Sequence, residues 1–335
     1  MNIVVIGSGS WGTALAQVLC DNQHQVTLLG KNIQELNEIN EHHTNSRYFP
    51  KVELHPGIQA SSDFSLCNRA DFIVLAVPSI AIEDVIATLN SVLEKPKVII
   101  NVAKGFHPST HERLSVFIKH HLNDAKLLDV VSLIGPSHAE EVVLRLPTTL
   151  NAVCANEAAA QSVQELFSNA YFRVYRNTDE IGSEIAVAVK NVIALGSGML
   201  SGLGFGDNAR AALITRGLAE ITRFGLASGA KPDTFLGLAG VGDLIVTCTS
   251  PHSRNFQAGL RIGKENSAAG FMRENVKTVE GVFAAKIVHE EALRLGIEMP
   301  ITHEIYNILY EGTQPSDALK RLMSRSLKVE SEGFY

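Results

Sequence analysis

The chain has 335 residues, 45% of them hydrophobic and 19% charged, a globular balance whose length suits about two domains with cores large enough to need no disulfide or metal staple. Lysine and arginine number 29 against 35 aspartates and glutamates, a net charge of −6. That excludes a surface basic throughout, as a nucleic-acid partner would require, but leaves room for a local basic pocket around one small anion.

In chain order, the first half alternates short apolar runs with amphipathic stretches. Runs 2–6, 25–29, 72–77, 97–102, 130–134, 149–154 and 172–175 predict strands. Several are almost continuously apolar, as parallel strands covered on both faces are. Stretches 11–20, 80–93, 110–121 and 157–167 predict the helices between them. This is the alternation of an α/β, doubly wound Rossmann-type domain, expected over residues 1–180. Beyond it the strand signal fades. Patterns at 179–199, 207–228, 282–295 and 301–309 predict an all-helical second domain over 181–335. The tract 185–205 is apolar enough to resemble a membrane span, but Lys190, Asn191, Ser197 and Ser201 interrupt it. A buried core helix is therefore expected, without membrane insertion. Cys20, Cys67, Cys154 and Cys248 form no C-x-x-C pair, which fits a reducing compartment and excludes zinc ribbons and dithiol redox motifs. A strand beginning at residue 2, with no basic leader before it, predicts a cytoplasmic protein.

The first strand runs directly into Gly7-Ser8-Gly9-Ser10-Trp11-Gly12, which opens a helix. In that context G-x-G-x-x-G is a dinucleotide signature. Gly7 allows the tight turn, Gly9 lets backbone approach a pyrophosphate, and Gly12 lets helix pack on strand, with the helix N-terminus facing the phosphates. The second strand ends Leu29-Gly30-Lys31-Asn32, without the carboxylate that normally holds an NAD ribose. Lys31 suits a 2′-phosphate, so both NAD and NADP are expected, with NADP favoured; the alternative is a solvated lysine at a helix start.

Lys190 lies within an apolar helix, where a lysine is almost never buried without a partner or a purpose. Desolvation lowers its pKa and frees an amine for acid–base work, as hydride transfer to or from a secondary alcohol requires. Asp243, after two glycines in Leu238-Ala239-Gly240-Val241-Gly242-Asp243-Leu244, is a candidate to orient it. Ser253-Arg254-Asn255 follows Pro251 as a helix start carrying phosphate-gripping groups. Two further sets follow strands of the first domain: Asn101-Val102-Ala103-Lys104-Gly105-Phe106, with Lys104 as a second cation, and Ile134-Gly135-Pro136-Ser137-His138-Ala139. Ser137 reads equally as a helix cap, and His138 as a residue of the first turn. No H-E-x-x-H and no G-x-S-x-G occurs, so neither a metal nor hydrolase chemistry is expected.

Together these segments resemble the bacterial-type NAD(P)-dependent glycerol-3-phosphate dehydrogenases. The resemblance rests on residues 7–16, Lys104-Gly105, Gly135-Pro136-Ser137, Val189-Lys190-Asn191-Val192, residues 238–244, Ser253-Arg254-Asn255 and Thr278-Val279-Glu280-Gly281. It implies reduction of dihydroxyacetone phosphate to sn-glycerol 3-phosphate for phospholipid synthesis. It further implies Lys190 as proton donor and acceptor, and Lys104, Gly135, Ser137, Lys190, Asp243, Ser253, Arg254 and Asn255 around the substrate. Ser10, Trp11, Lys31, Ala139 and Glu280 fall to the cofactor, with Lys104 and Arg254 shared. Ser8 stands where the family usually has alanine, Lys31 where it often has arginine, and His138 where an apolar residue is commoner. The nearest alternative is a β-hydroxyacid dehydrogenase, whose substrate carboxylate the same cations would hold. A non-catalytic NAD(P)-sensing protein would keep the glycine turn but has no need of Lys190 near Asp243. The apolar helices of the second half leave a homodimer open.

Overall fold

In the computed structural model, which describes residues 1–274, 279–327 and 329–330, the chain forms two compact units. The first comprises Met1–Ala103 and Glu112–Glu180; the second comprises Lys104–His111 and Ile181–Tyr335. The eight residues 104–111 thus leave the first unit and fold with the second.

The first unit is an eight-stranded sheet in the order β3-β2-β1-β4-β5-β6-β7-β8. The strands are β1 Asn2–Ile6, β2 Gln25–Leu29, β3 Ile58–Ser61, β4 Phe72–Leu75, β5 Lys97–Asn101, β6 Leu127–Ile134, β7 Thr148–Val153 and β8 Phe172–Asn177. Helices α1 Ser10–Asp21, α2 Ile33–His42, α3 Ile82–Val92, α4 Leu114–His121, α5 Ala139–Val142 and α6 Glu157–Phe167 connect them. Alternate residues of β1 feed opposite faces. Ile3 and Val5 pack in one core cluster with Leu15 and Leu19 of α1, and Val4 and Ile6 in another with Ile86 and Leu89 of α3. Both faces are therefore covered, which is why these strands read as continuous apolar runs. The strand order reverses between β1 and β4, the switch point at which open sheets of this kind bind ligands.

Three features depart from the sequence expectation. β3 and α2 were not foreseen: β3 is a four-residue edge strand with one buried side chain, and α2 is mostly polar. β7 runs antiparallel to β6. The link between them carries only the four-residue α5, about 6 Å of helix, too short to return the chain for a parallel strand. The helix expected from residue 110 begins at Leu114; residues 110 and 111 fold with the second unit instead.

Every regular element of the second unit, among the described residues, is helical: α7 Glu180–Gly202, α8 Asp207–Ala227, α9 Asp243–Thr249, α10 Arg254–Glu265, α11 Ala269–Met272, α12 Glu280–Leu295, α13 Pro300–Tyr310 and α14 Pro315–Met323. α7 is long and apolar enough to cross a membrane, but nearly all of it is buried among its neighbours. Its packing on α10 is backbone to backbone. A Cβ on Gly198 would stand 2.0 Å from the Phe256 carbonyl oxygen, and one on Gly259 equally close to that of Leu195. Gly202 and Gly263 repeat the contact one turn on. Glycine at four-residue spacing on both helices thus sets their separation.

Candidate active site

The glycine turn has the form the sequence predicted. Gly7, at the end of β1, has φ +117°, and a Cβ there would lie 2.4 Å from the Ala76 carbonyl oxygen beyond β4. Gly12 packs so that a Cβ would meet the Gly7 carbonyl at 1.9 Å. α1 then begins with Gly9 as its N-cap, no side-chain cap and no acidic residue in its first turn. Its N-terminal N–H groups and dipole keep their positive character for an anion. The indole N–H of Trp11 is buried with no protein acceptor among the described residues, an orphaned donor of the kind a ligand oxygen satisfies. These residues fit a dinucleotide. Buried side chains brace the turn: the Ser8 carbonyl accepts from Asn45 Nδ2 at 3.1 Å and from Thr13 Oγ1 at 3.3 Å.

The chemistry-bearing cluster lies within the second unit. Lys190, 3% exposed on α7, places Nζ 2.5 Å from Asp243 Oδ1 and 2.6 Å from Thr247 Oγ1. Asp243 and Thr247 stand four residues apart and therefore on one face of α9. The Thr247 hydroxyl donates its proton to the Asp243 carbonyl at 2.6 Å, so toward Lys190 it accepts. Lys104 Nζ lies 3.1 Å from Asp243 Oδ2, and that wholly buried carboxylate is shared between the two lysine nitrogens. The Lys190 amine is held down to about 7, first by burial and then by Lys104, against the raising effect of Asp243. A lysine at that value is part ammonium and part amine at neutral pH.

Other predicted residues are placed as follows. Ser253 caps α10 by accepting from Phe256 N at 3.2 Å, which puts Arg254 on the helix's first turn. The Arg254 side chain is exposed and makes no hydrogen bond or ion pair with a described residue. Asn255 is buried; its Nδ2 donates to Asn191 Oδ1 at 2.9 Å, and its Oδ1 accepts from Gly281 N at 2.9 Å. Glu280 opens α12; Thr278, quoted with it, lies outside the described residues. Gly135 and Ser137 belong to the first unit, as do Ser10, Trp11, Lys31 and Ala139. The capping role for Ser137 is not met. His138 occupies the N-cap of α5 and makes no capping bond there, and the Ser137 hydroxyl donates to the Gly135 carbonyl at 3.1 Å. Lys31 is exposed just before Asn32, which caps α2.

Two residues escaped sequence reasoning. Thr247 was hidden because a threonine in an apolar helix is commonplace; its spacing of four from Asp243 was the available signal. In the sequence Asn191 reads as a member of the Val189–Val192 motif and as a polar break in an apolar tract. Its Nδ2 donates to the Lys104 carbonyl at 3.0 Å and its Oδ1 holds Asn255, tying the Lys104 segment to α7 and α10. No cysteine takes part: all four are buried, and burial pushes their thiols up to about 12.

A Rossmann-type sheet with an open phosphate turn, joined to a helical unit bearing a buried lysine of lowered pKa, defines an NAD(P)-dependent dehydrogenase. The chain matches the family descriptions "NAD-dependent glycerol-3-phosphate dehydrogenase N-terminus" over residues 2–160 and the corresponding C-terminus over 179–320. It belongs to that family. It is 48% identical over 333 residues to the glycerol-3-phosphate dehydrogenase [NAD(P)+] of Listeria monocytogenes, covering 99% of this chain and 98% of the relative. The enzyme of that name from Geobacillus kaustophilus is 50% identical over 335 residues, covering 99% and 96%. The crystal structure of glycerol-3-phosphate dehydrogenase from Coxiella burnetii superposes with a TM-score of 0.89 at 34% identity, covering 97% of this chain and 99% of that one. The protein is an oxidoreductase whose cofactor is NAD or NADP.

Proposed function

We propose that this protein interconverts dihydroxyacetone phosphate and sn-glycerol 3-phosphate in the cytoplasm, supplying glycerol phosphate for phospholipid synthesis, with Lys190 as the proton donor and acceptor. The bound nicotinamide supplies or accepts the hydride. One observation carries the role of Lys190. Two of its three N–H directions are taken, by Asp243 and Thr247, and both bonds survive in either protonation state. The third direction holds an N–H in the ammonium and a lone pair in the amine. A carbonyl oxygen placed there takes the proton during reduction, and a hydroxyl placed there gives it up during oxidation. Asp243 orients the amine and offsets part of its burial. With Lys190 charged, Lys104, Lys190 and Asp243 sum to one positive charge, which favours an anionic substrate. Arg254, at the start of α10, adds a guanidinium fork and a helix N-terminus for the phosphate. Ser253, Asn255 and Lys104 complete the substrate groups of this unit. The family resemblance assigns Gly135 and Ser137 to the substrate as well, and Ser10, Trp11, Lys31, Ala139, Glu280, Lys104 and Arg254 to the cofactor.

The apolar face beside Leu203, Phe205, Ala212 and Leu213 suits a second copy of the chain, which sedimentation would detect. The substrate assignment is tested by following NAD(P)H oxidation with dihydroxyacetone phosphate, unphosphorylated dihydroxyacetone and a β-ketoacid. Turnover confined to the phosphate ester is expected. Preference for the ketoacid would favour the β-hydroxyacid reading, and no turnover on any carbonyl would favour a sensor.

A further inference from the structure

The residues that end β2, Leu29 and then Gly30, Lys31 and Asn32, carry no carboxylate. Folding brings one back from further along the chain. Glu35, in the first turn of α2, is 7% exposed and accepts from Ser8 Oγ of the glycine turn at 3.4 Å through Oε2. Its Oε1 accepts from Asn32 Nδ2 at 3.2 Å and from Arg47 Nη1 at 2.6 Å. The end of β2 lies against the same turn, since a Cβ on Gly30 would stand 2.4 Å from Ser8 Oγ. A buried carboxylate therefore sits roughly twenty residues beyond the turn, where sheets of this type read the adenosine ribose.

Both oxygens of Glu35 are engaged, and its side chain is only 9% exposed, so it is poorly placed to accept from a ribose hydroxyl. The group it presents is Arg47. That side chain is 64% exposed, pinned at Nη1 by Glu35, with its guanidinium carbon 5.4 Å from the centre of the Tyr48 ring. Its remaining N–H groups have no partner among the described residues. A guanidinium fixed at one corner and open at the others matches a phosphate monoester far better than a hydroxyl.

We propose that Arg47, anchored by Glu35, grips the 2′-phosphate of NADP, with Lys31 as a second cation, and so sets the choice between NADP and NAD. Glu35 is a positioning residue that acts through Arg47. The inference rests on the nicotinamide dinucleotide being this unit's ligand. Without Arg47, Glu35 becomes an unpaired carboxylate at the same place and opposes a phosphate. Removing both should therefore harm phosphate binding less than removing Arg47 alone.

The test is titration calorimetry of the full-length protein with 2′,5′-ADP and 5′-AMP, which differ only in the 2′-phosphate. Arg47→Ala should weaken 2′,5′-ADP by at least about tenfold, as loss of a charge-assisted pair implies, and leave 5′-AMP within about twofold. Arg47→Ala/Glu35→Gln should recover part of that loss, and Arg47→Lys, which keeps charge without the fork, should fall between wild type and Arg47→Ala. Equal weakening of both nucleotides, or of neither, would overturn the proposal. A double variant no better than the single would overturn the role given to Glu35. If the wild type bound neither nucleotide, the dinucleotide reading would fail and this inference with it.

Discussion

In the proposed role Lys190 serves as acid in one direction and as base in the other, which requires a pKa near neutrality. Burial lowers it to about 7 while Asp243 stops it falling further. Reduction needs the ammonium, so kcat/KM for the ketone should be flat below about 7 and decline as pH rises above it. Oxidation needs the amine, so the alcohol direction should rise through the same value. Thr247→Val removes an acceptor that favours the charged form, and both limbs should move to lower pH by roughly one unit. Unchanged limbs in steady-state profiles would remove Thr247 from the account. Arg254 predicts a different signature. Arg254→Ala should raise KM for the phosphorylated ketone by ten-fold or more, while slow turnover of unphosphorylated dihydroxyacetone changes little. An equal loss for both would place Arg254 outside the phosphate site.

At the scale of elements, the α7–α10 contact positions Lys190 relative to Ser253 and Arg254. With main chain against main chain at Gly198 and Gly259, no flexible side chain can yield. Gly198→Ala should cost at least about 2 kcal/mol, an overpacking penalty, read as a lowered urea midpoint with unchanged m. Gly206→Ala, where the added Cβ would meet nothing within 4 Å beyond its chain neighbours, should stay well below that cost. α13 is held differently. Glu220 of α8, 1% exposed, accepts from Ile301 N at 2.6 Å, Thr302 N at 3.1 Å and Thr302 Oγ1 at 3.0 Å. Burial nevertheless raises its carboxyl from 4.5 to about 7. The folded state then keeps a proton that the unfolded chain loses near 4.5. Stability should fall as pH rises from 4.5 to about 7, by up to about 1.4 kcal/mol per unit, and level off above. Denaturant titrations of wild type and Glu220→Gln at pH 5 and 7 isolate this contribution. A difference between the two proteins that ignores pH would contradict it.

For the whole molecule, a net charge of −6 coexists with the three cations proposed to hold an anionic substrate, Lys104, Lys190 and Arg254. All three lie in the helical unit, although Lys104 precedes it in sequence by many residues. Sequence reasoning reached the parts whose chemistry is local: the strand–turn–helix of residues 2–21, the lysine stranded in an apolar helix, and the capped start of α10. It did not reach what depends on distant segments meeting. The short edge strand β3 buries too little to leave a period, and the reversal of β7 follows from a loop too short to carry a crossover. Glu35 reads as an ordinary polar helix residue until α2 folds it against Ser8. The Lys104–Asp243 pair, 139 residues apart, leaves no local trace.

Lys190 is the group proposed to give and take the proton. Its most direct test is the rate of NAD(P)H oxidation with dihydroxyacetone phosphate for wild type and Lys190→Ala, alongside nucleotide affinity by calorimetry. Loss of kcat by roughly a hundred- to ten-thousand-fold, with nucleotide affinity unchanged, is predicted. Near-normal turnover by the alanine variant would contradict it.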